Sequence, residues 1–445
     1  MHTGWPSPYI PVLVQGNYTF QISSEEGSWL TVIPQFGTIF GSIFTGLIGD
    51  IFGRQKLIVF SCLPIIASWL LVGFAKSSVT MFIGRFISGF AGGLSFGVVP
   101  MYLVEIAEAE IRGVIASIST FCIVLGILLI NIFGAYLPLD TAAFLAIALP
   151  VLLLITFLWM PESPYFLLMK GKPEEARKSL QIFTGAEDVD VDLHRISMAI
   201  QEQYKIKGSF FDLFTVRSNR KALIVTSGLT SFQQLSGSMA IIFYCKTIFD
   251  EAKDFMSPSV STIIYFTIQL FMSLISSFIV DIYGRRPLLI ISITGTALSL
   301  FTAGSYVYIK NRTEIDTTGL GFIPVVALSC YIVASSIGLQ TLPSLILGEI
   351  FPTNVKVFAF CTMNLYYIGA VTIISKLFHW SSETYGMHVP FFIFTGCCII
   401  GLIFIIIIVP ETKGKTLEDI QLELHGERKV LPTKICEKME NIEDS

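Results

Sequence analysis

The chain has 445 residues, of which 53% are hydrophobic and only 14% are charged, and its mean hydropathy is +0.71. A soluble domain typically carries about 25% charged residues. A chain of this length with so few charges is too apolar to be a soluble protein, so the composition indicates an integral membrane protein.

Eleven uncharged runs of at least 19 residues follow one another along the chain. About 20 apolar residues span the hydrocarbon core as a helix, and in lipid a single segment satisfies its own backbone hydrogen bonds only as a helix. We therefore expect an all-α membrane protein with eleven full spans. The runs are 28–49, 57–75, 86–104, 113–139, 141–161, 222–245, 255–280, 287–309, 317–348, 357–375 and 384–410.

A polar interval separates five of these runs from the other six. Residues 1–24 are also uncharged, but prolines and glycines interrupt them, so the first helix of a six-plus-six arrangement is expected to be cut to its outer end. The expected organisation is an N-terminal helical half, a cytoplasmic linker with short helices, a C-terminal six-helix half and a cytoplasmic tail. Their ranges are 1–161, 162–219, 220–410 and 411–445.

The basic residues indicate the orientation. Placing the loop after the first run in the cytoplasm puts 22 of the 29 Lys and Arg residues on that side, as the positive-inside tendency requires, and makes the C-terminus cytoplasmic. Two N-x-T sequons, at Asn17 and Asn311, then fall in loops outside the cell, where glycosylation occurs.

A charged segment repeats between the runs. Residues 49–56, GDIFGRQK, join the first run to the second, and residues 280–286, VDIYGRR, do the same 231 positions later. Many secondary transporters are built from two related helical halves with the substrate site between them, near the midplane. The repeat therefore predicts two pseudo-symmetric halves.

Five motifs together resemble the sugar porter family of the major facilitator superfamily. They are GRF at 84–86, PESP at 161–164, QQLSG at 233–237, DIYGRR at 281–286 and PETKGKTLEDI at 410–420. The resemblance implies the major facilitator fold, with the first helix truncated here. Further details, such as GWPSP at 4–8 and GEIFP at 348–352, look like the insect facilitated trehalose transporters.

By this resemblance, the substrate site contains Gln233 and Gln234, in an unwound outer part of a helix, with Asn131 and Gln269 at the matching positions of two other spans. Amide side chains both donate and accept hydrogen bonds, which suits a ligand made of hydroxyls. Tyr244 follows QQLSG at the spacing of a gate residue. The alternative is that these amides only join helices to one another.

Charged residues at the cytoplasmic helix ends are the expected gate. Pairs across the two halves would hold that side shut and break when it opens; the alternative is that the charges merely anchor the helices. The residues are Asp50 with Arg54, Glu105 with Arg112, Asp281 with Arg285 and Arg286, and Glu349 with Lys356.

The chain departs from the family pattern in four places, one of them a pair of residues. Met239 and Ser344 stand where an Asn and a Trp are usual, Tyr165 replaces the Arg of PESPR, and Tyr367 with Ile368 replaces an Asn-Trp pair. These departures leave a non-transporting sugar sensor or inactive paralogue as one alternative function.

The expected function is facilitated uniport of a small neutral sugar, trehalose first and a hexose next, across the plasma membrane. Arg85 is the one clear charge well inside an expected span, and the eleven runs contain no deep Asp or Glu that could carry a coupled proton. A proton-coupled sugar symporter is the remaining alternative. No metal-spaced His or Cys cluster and no nucleotide-binding loop is present, so we expect neither an enzyme nor a cofactor or nucleic-acid partner; the lipid bilayer is the expected environment.

Overall fold

A computed structural model describes residues 1–107, 112–205, 209–415 and 420. Almost all the ordered structure in these ranges is helical. The helices of the first half are α1 Pro6–Val14, α2 Ser24–Phe52, α3 Arg54–Gly73, α4 Ser78–Ile106, α5 Arg112–Tyr136 and α6 Leu139–Phe157. Those that follow are α7 Pro164–Met169, α8 Pro173–Thr184, α9 Asp190–Lys205, α10 Asp212–Thr215, α11 Arg217–Leu235, α12 Ser238–Phe249, α13 Pro258–Ile282, α14 Arg285–Arg312, α15 Ile323–Ile337, α16 Leu342–Ile350, α17 Thr353–Tyr385 and α18 His388–Ile408.

Within the described ranges, ten of the eleven expected spans form helices long and apolar enough to cross a membrane. The run 222–245 is instead divided between α11 and α12, because Gly237 adopts φ +83°, a left-handed conformation that ends the first helix. The run 317–348 is also divided, into α15 and α16, around Gly338. Broken helices at membrane depth are tolerated where they line a cavity or are covered by protein.

The N-terminal half is held together by close approach of two helix backbones. Gly37 and Gly41 of α2 face Gly89 and Gly93 of α4, and a Cβ atom added at Gly41 would lie 2.1 Å from the Phe90 carbonyl oxygen. At Gly89 the added atom would lie 1.9 Å from the Pro34 carbonyl oxygen. Pairs of small residues four apart permit such packing in membranes, where lipid gives helices no hydrophobic reason to associate.

Residues 1–24 do contain a helix, although it is too short to span. In α1, Tyr9 and Leu13 are buried, and Pro8 lies against Gly134 of α5. The backbone N–H of Lys246 in α12 donates to the Ser7 hydroxyl over 3.2 Å. This helix therefore packs against both halves.

The two halves meet along three pairs of helices: α2 with α17, α5 with α13, and α1 with α12. Helices α7 to α10 lie between the halves in sequence and pack at one end of the bundle, which we call the linker end. The opposite end, where α2 begins and α17 finishes, is the far end.

Two expected loops differ in the structure. Helix α17 is longer than the run 357–375 predicted, so Lys376 is helical. Asn311, expected in a loop, lies in the last turn of α14 and is exposed; Asn17 is exposed in a loop.

Candidate substrate site and gates

The break between α11 and α12 positions the two glutamines of QQLSG. Both are helical, in the last turn of α11, so the expectation of an unwound segment at these residues is wrong; the backbone leaves the helix only at Ser236 and Gly237. The Gln233 side chain donates to the Gln340 carbonyl oxygen over 3.2 Å, beside the second break. Gln234 is 1% exposed, and neither its amide nitrogen nor its amide oxygen has a partner.

Two further amides are buried on the pair of helices that joins the halves. Asn131 of α5 donates to the Ile127 carbonyl oxygen over 2.8 Å, while its amide oxygen lacks a partner. Gln269 of α13 is 4% exposed, and its amide oxygen also lacks a partner. A buried amide without a partner costs free energy. Gln234, Asn131 and Gln269 thus offer acceptors, and Gln234 also a donor, to a polar ligand or to water.

Part of the amide set does join helices, as the alternative reading expects. Gln233 bonds to the chain between α15 and α16. Asn131 bonds within its own helix and also donates, over 3.5 Å, to the Gly4 carbonyl oxygen just before α1. Gln234 differs from both because all its hydrogen-bonding capacity is unused. It is therefore the strongest candidate for a ligand contact.

Tyr244 lies within α12, the short helix that begins at the break, toward the far end. Its ring stacks on Phe378 and His379 of α17, with centroids 5.2 Å and 5.9 Å apart. Its hydroxyl lies near Ser28 and Thr31 of α2, in the other half. The side chain, 6% exposed, therefore closes the space between the halves on the far side of the amides.

Other contacts also join the halves at the far end. The Ser24 hydroxyl of α2 donates to a carboxylate oxygen of Glu383 in α17. The Lys376 ammonium of α17 lies 3.9 Å from the centre of the Trp29 ring of α2. The far end is therefore closed by bonds that cross from one half to the other.

At the linker end, the charges of the N-terminal half pair with one another. Arg54 donates to Asp50 over 3.0 Å and to Glu105 over 3.1 Å, and its guanidinium carbon lies 5.2 Å from the centre of the Phe166 ring. Glu105 was expected to pair with Arg112, whose side chain lies outside the described residues. One arginine therefore fastens α3 to α2, α4 and the linker helix α7.

The C-terminal half repeats this arrangement. Arg285 donates to Glu349 over 2.9 Å, and the Thr412 hydroxyl donates to the other oxygen of the same carboxylate over 2.5 Å. Lys356, the expected partner of Glu349, does not take that place. Arg286 donates to the Ile406 carbonyl oxygen. The Asp281 side chain lies outside the described residues. Between described residues, the ion pairs of both clusters stay within their own half.

Two glutamates have a role in the structure that the sequence did not reveal. Glu162 of PESP accepts the backbone N–H groups of Arg54, Gln55 and Ser163 over 2.9 to 3.0 Å. Carboxylates are favourable at a helix N-terminus, which carries unpaired N–H groups and a partial positive charge. At Gly53, with φ +97°, an added Cβ atom would lie 2.3 Å from this carboxylate, so only glycine fits.

Glu411 of PETK does the same for α14. It accepts the backbone N–H groups of Arg285, Arg286 and Lys413 over 2.9 to 3.0 Å. Burial alone would raise the pKa of the Glu411 carboxyl, but these N–H groups outweigh it and lower the pKa below its usual value. The signal that could have found both glutamates is the repeat itself, since a PE pair follows the last span of each half.

Arg85 is 2% exposed, as expected of a charge inside a span. It donates to the carbonyl oxygens of His2 and Leu30 over 3.0 Å and 3.4 Å, and its guanidinium carbon lies 4.7 Å from the centre of the Trp5 ring. The contacts of this cation are therefore neutral carbonyl groups and an aromatic face.

The sequence matches the family described as "Sugar (and other) transporter" over residues 8–424. The facilitated trehalose transporter Tret1 of Aedes aegypti is 33% identical over 428 residues, which cover 95% of this chain and 53% of that protein. Tret1 of Polypedilum vanderplanki is 33% identical over 434 residues, covering 96% of this chain and 86% of that protein. The chain thus spans about half the length of the Aedes relative.

A solved structure has the same fold. The xylose transporter XylE of E. coli, in a partially occluded inward-open conformation, gives a TM-score of 0.77 at 22% identity, covering 94% of this chain and 95% of that chain. The molecule is therefore a multi-span membrane protein with the major facilitator fold. By its family match and its relatives, the chain belongs to the sugar transporter family, whose members are not enzymes.

Proposed function

We propose that this chain is a facilitated uniporter of a small neutral sugar, with trehalose the first candidate and a hexose the next. The observation that carries the proposal is the Gln234 side chain, which is buried and has no partner for its amide nitrogen or its amide oxygen. A sugar hydroxyl is both a donor and an acceptor, so it would satisfy such a group. The trehalose transporters of two insects, similar over nearly all of this chain, support the choice of substrate.

Alternating access is the proposed mechanism. Gln234, Asn131 and Gln269 lie on helices α11, α5 and α13, and of these α5 and α13 run along the junction of the halves. Tyr244 closes the far side of this region in the structure. Separation of α2 from α17 would open the far end, while the linker end would then close over the same amides.

Uniport is supported by the surroundings of Arg85. Proton coupling would need a carboxylate beside this cation. Among the described residues, the direct contacts of Arg85 are two carbonyl oxygens and an indole ring, and the titratable groups near it are basic, the His2 imidazole and the Met1 amine. The distribution of basic residues supports a plasma-membrane orientation with the linker end and the C-terminus in the cytoplasm. We also propose that the chain consists of an N-terminal helical half at 1–161, a cytoplasmic linker at 162–219, a C-terminal helical half at 220–410 and a cytoplasmic tail at 411–445.

Uptake of labelled trehalose and glucose by oocytes that express the chain tests the proposal. Gln234→Ala should weaken apparent affinity roughly 5- to 150-fold, because losing a hydrogen bond in a desolvated site costs about 1 to 3 kcal/mol. Gln201→Ala, an exposed position on α9, is the matched control and should behave like the parent.

Three outcomes would contradict parts of the proposal. If sugar uptake by the Gln234→Ala variant saturated at the same concentrations as uptake by the parent, Gln234 would not belong to the site. Uptake that rises with an inward proton gradient would indicate symport instead. Sugar binding to the purified chain without uptake by the parent would favour a sensor.

A further inference from the structure

Two helices from different halves present complementary side chains at the far end. On α17, Lys376, His379 and Glu383 are spaced by three and four residues, so they share one face of the helix. That face lies against the first turns of α2. The Lys376 ammonium is 3.9 Å from the centre of the Trp29 ring, and Glu383 accepts from Ser24.

The side chains on this face of α17 also contact residues of their own half. His379 Nε2 lies 3.8 Å from a carboxylate oxygen of Glu383, and the His379 ring stacks on Tyr244. Glu25 of α2 lies near both Lys376 and His379. The charged groups that face Lys376 therefore come from both helices, while the aromatic face of Trp29 is supplied by α2 alone.

We propose that Trp29 and Lys376 form a latch between the halves, together with Ser24 and Glu383, and that this far-end latch determines how readily the far end opens. The inference rests on the proposed alternating-access function. Trp29 and Lys376 act as positioning residues, because they lie apart from the amides of the candidate substrate site and would not contact the sugar.

The physical reason is that the contact exists only while α2 and α17 are together. A cation on an aromatic face is attracted by the negative potential of the ring, and partial exclusion of water strengthens the attraction. Lys376 is half-buried and Trp29 is 42% exposed, so water is only partly excluded from the contact. An interaction made in one state alone shifts the population toward that state.

The test measures opening of the far end without any sugar. Ser28 is fully buried beside Tyr244, so a Ser28→Cys reporter reacts with an impermeant maleimide on intact cells only when the far end opens. The parent without the reporter gives the background from native cysteines. Asn17→Cys, exposed at the same end, should react rapidly in every variant and checks that the far end faces outward. Thr31→Cys, 1% exposed, is a second reporter if Ser28→Cys fails to fold.

Trp29→Ala and Lys376→Met should each raise the reporter's labelling rate roughly 2- to 5-fold, from the usual strength of an exposed cation–π contact. Trp29→Phe and Lys376→Arg should stay near the parent, and the double variant should not exceed either single one. Trp380→Ala is the matched control, since Trp380 is exposed on the same helix and its ring contacts Tyr385 rather than α2.

Equal labelling in the Trp29→Ala variant and the Trp380→Ala control would overturn the latch, and so would additive effects in the double variant. Because labelling needs no sugar, failure of the latch is separate from failure of transport. A parent chain that opens and closes but takes up no trehalose or glucose would contradict the proposed function alone.

Discussion

The two ends of the bundle use their polar residues differently. At the linker end, Arg54 and Arg285 each bind carboxylates of their own half. At the far end, Ser24 and Trp29 of one half bind Glu383 and Lys376 of the other. The duplicated charges therefore fasten the helices of each half into a unit, whereas the far-end contacts fasten one unit to the other.

This difference separates two kinds of mutational effect. A contact within a half is present whichever way the transporter faces, so its loss should lower stability and leave the balance of states alone. A contact between halves is made in one state only, so its loss should change that balance with little change in stability. Substitutions at the linker end test this separation.

The largest expected effect is that of Arg54→Ala. The Arg54 side chain is 4% exposed and Glu105 only 11%, so the substitution leaves a nearly buried carboxylate without its cation. Breaking such a pair costs about 3 kcal/mol or more, which should lower the apparent melting temperature of the purified protein on the order of 5 °C. Labelling of the Ser28→Cys reporter should remain at the parent rate.

The matched control for Arg54→Ala is Arg177→Ala. Arg177 pairs with Asp190 in the linker, and both side chains are largely exposed, at 41% and 59%. A surface ion pair contributes little, so this variant should melt within about 1 °C of the parent. A change in reporter labelling on loss of Arg54, with stability unchanged, would contradict the comparison.

Glu411→Gln should have a smaller effect, and one that depends on pH. Because the pKa of Glu411 is lowered in the folded protein, its carboxylate stabilises the fold above its ordinary pKa of 4.5, and this contribution is lost as the pH falls through the lowered value. Glutamine keeps the shape but loses the charge on the N–H groups at the start of α14. We expect a loss of about 1 kcal/mol at pH 7, allowing for partial solvent exposure.

Thermal melting at pH 7 and pH 4 checks this prediction. The difference in melting temperature between Glu411→Gln and the parent should be clear at pH 7 and should narrow at pH 4, which lies below the ordinary carboxyl pKa of 4.5. Glu162→Gln, which removes the equivalent carboxylate at the start of α3, should lower stability at pH 7 in the same way. A gap of equal size at both pH values would mean that the Glu411 charge does not matter.

Most of the fold could be predicted because it depends on properties that run along the chain. The lengths of the apolar runs predict ten of the spans, and the repeated GR segments indicate two halves. The helix breaks at Gly237 and Gly338 were harder to predict, since both lie within continuous apolar runs and hydropathy does not report a backbone dihedral. The fit of Gly41 against Phe90 is a property of two helices together.

The candidate site and gates were predicted less completely, because they depend on pairing in space. The sequence indicated that Glu105 and Glu349 matter, but it paired them with residues seven positions along the chain. In the structure their cations, Arg54 and Arg285, come from other helices. Lys376 and Trp29 are more than 300 positions apart, so sequence spacing could not bring them together.

The smallest expected effect is that of Lys356→Met, and it tests the pairing directly. The two oxygens of Glu349 accept from Arg285 and from the Thr412 hydroxyl, so removing the Lys356 charge leaves that carboxylate satisfied. Stability should change by no more than about 0.5 kcal/mol, as for a substitution away from any specific contact. Arg285→Ala, measured beside it, should lower the melting temperature clearly, because Glu349 then loses its cation. If Lys356→Met were instead as destabilising as Arg285→Ala, the linker-end cluster would depend on the pair that the sequence spacing suggested.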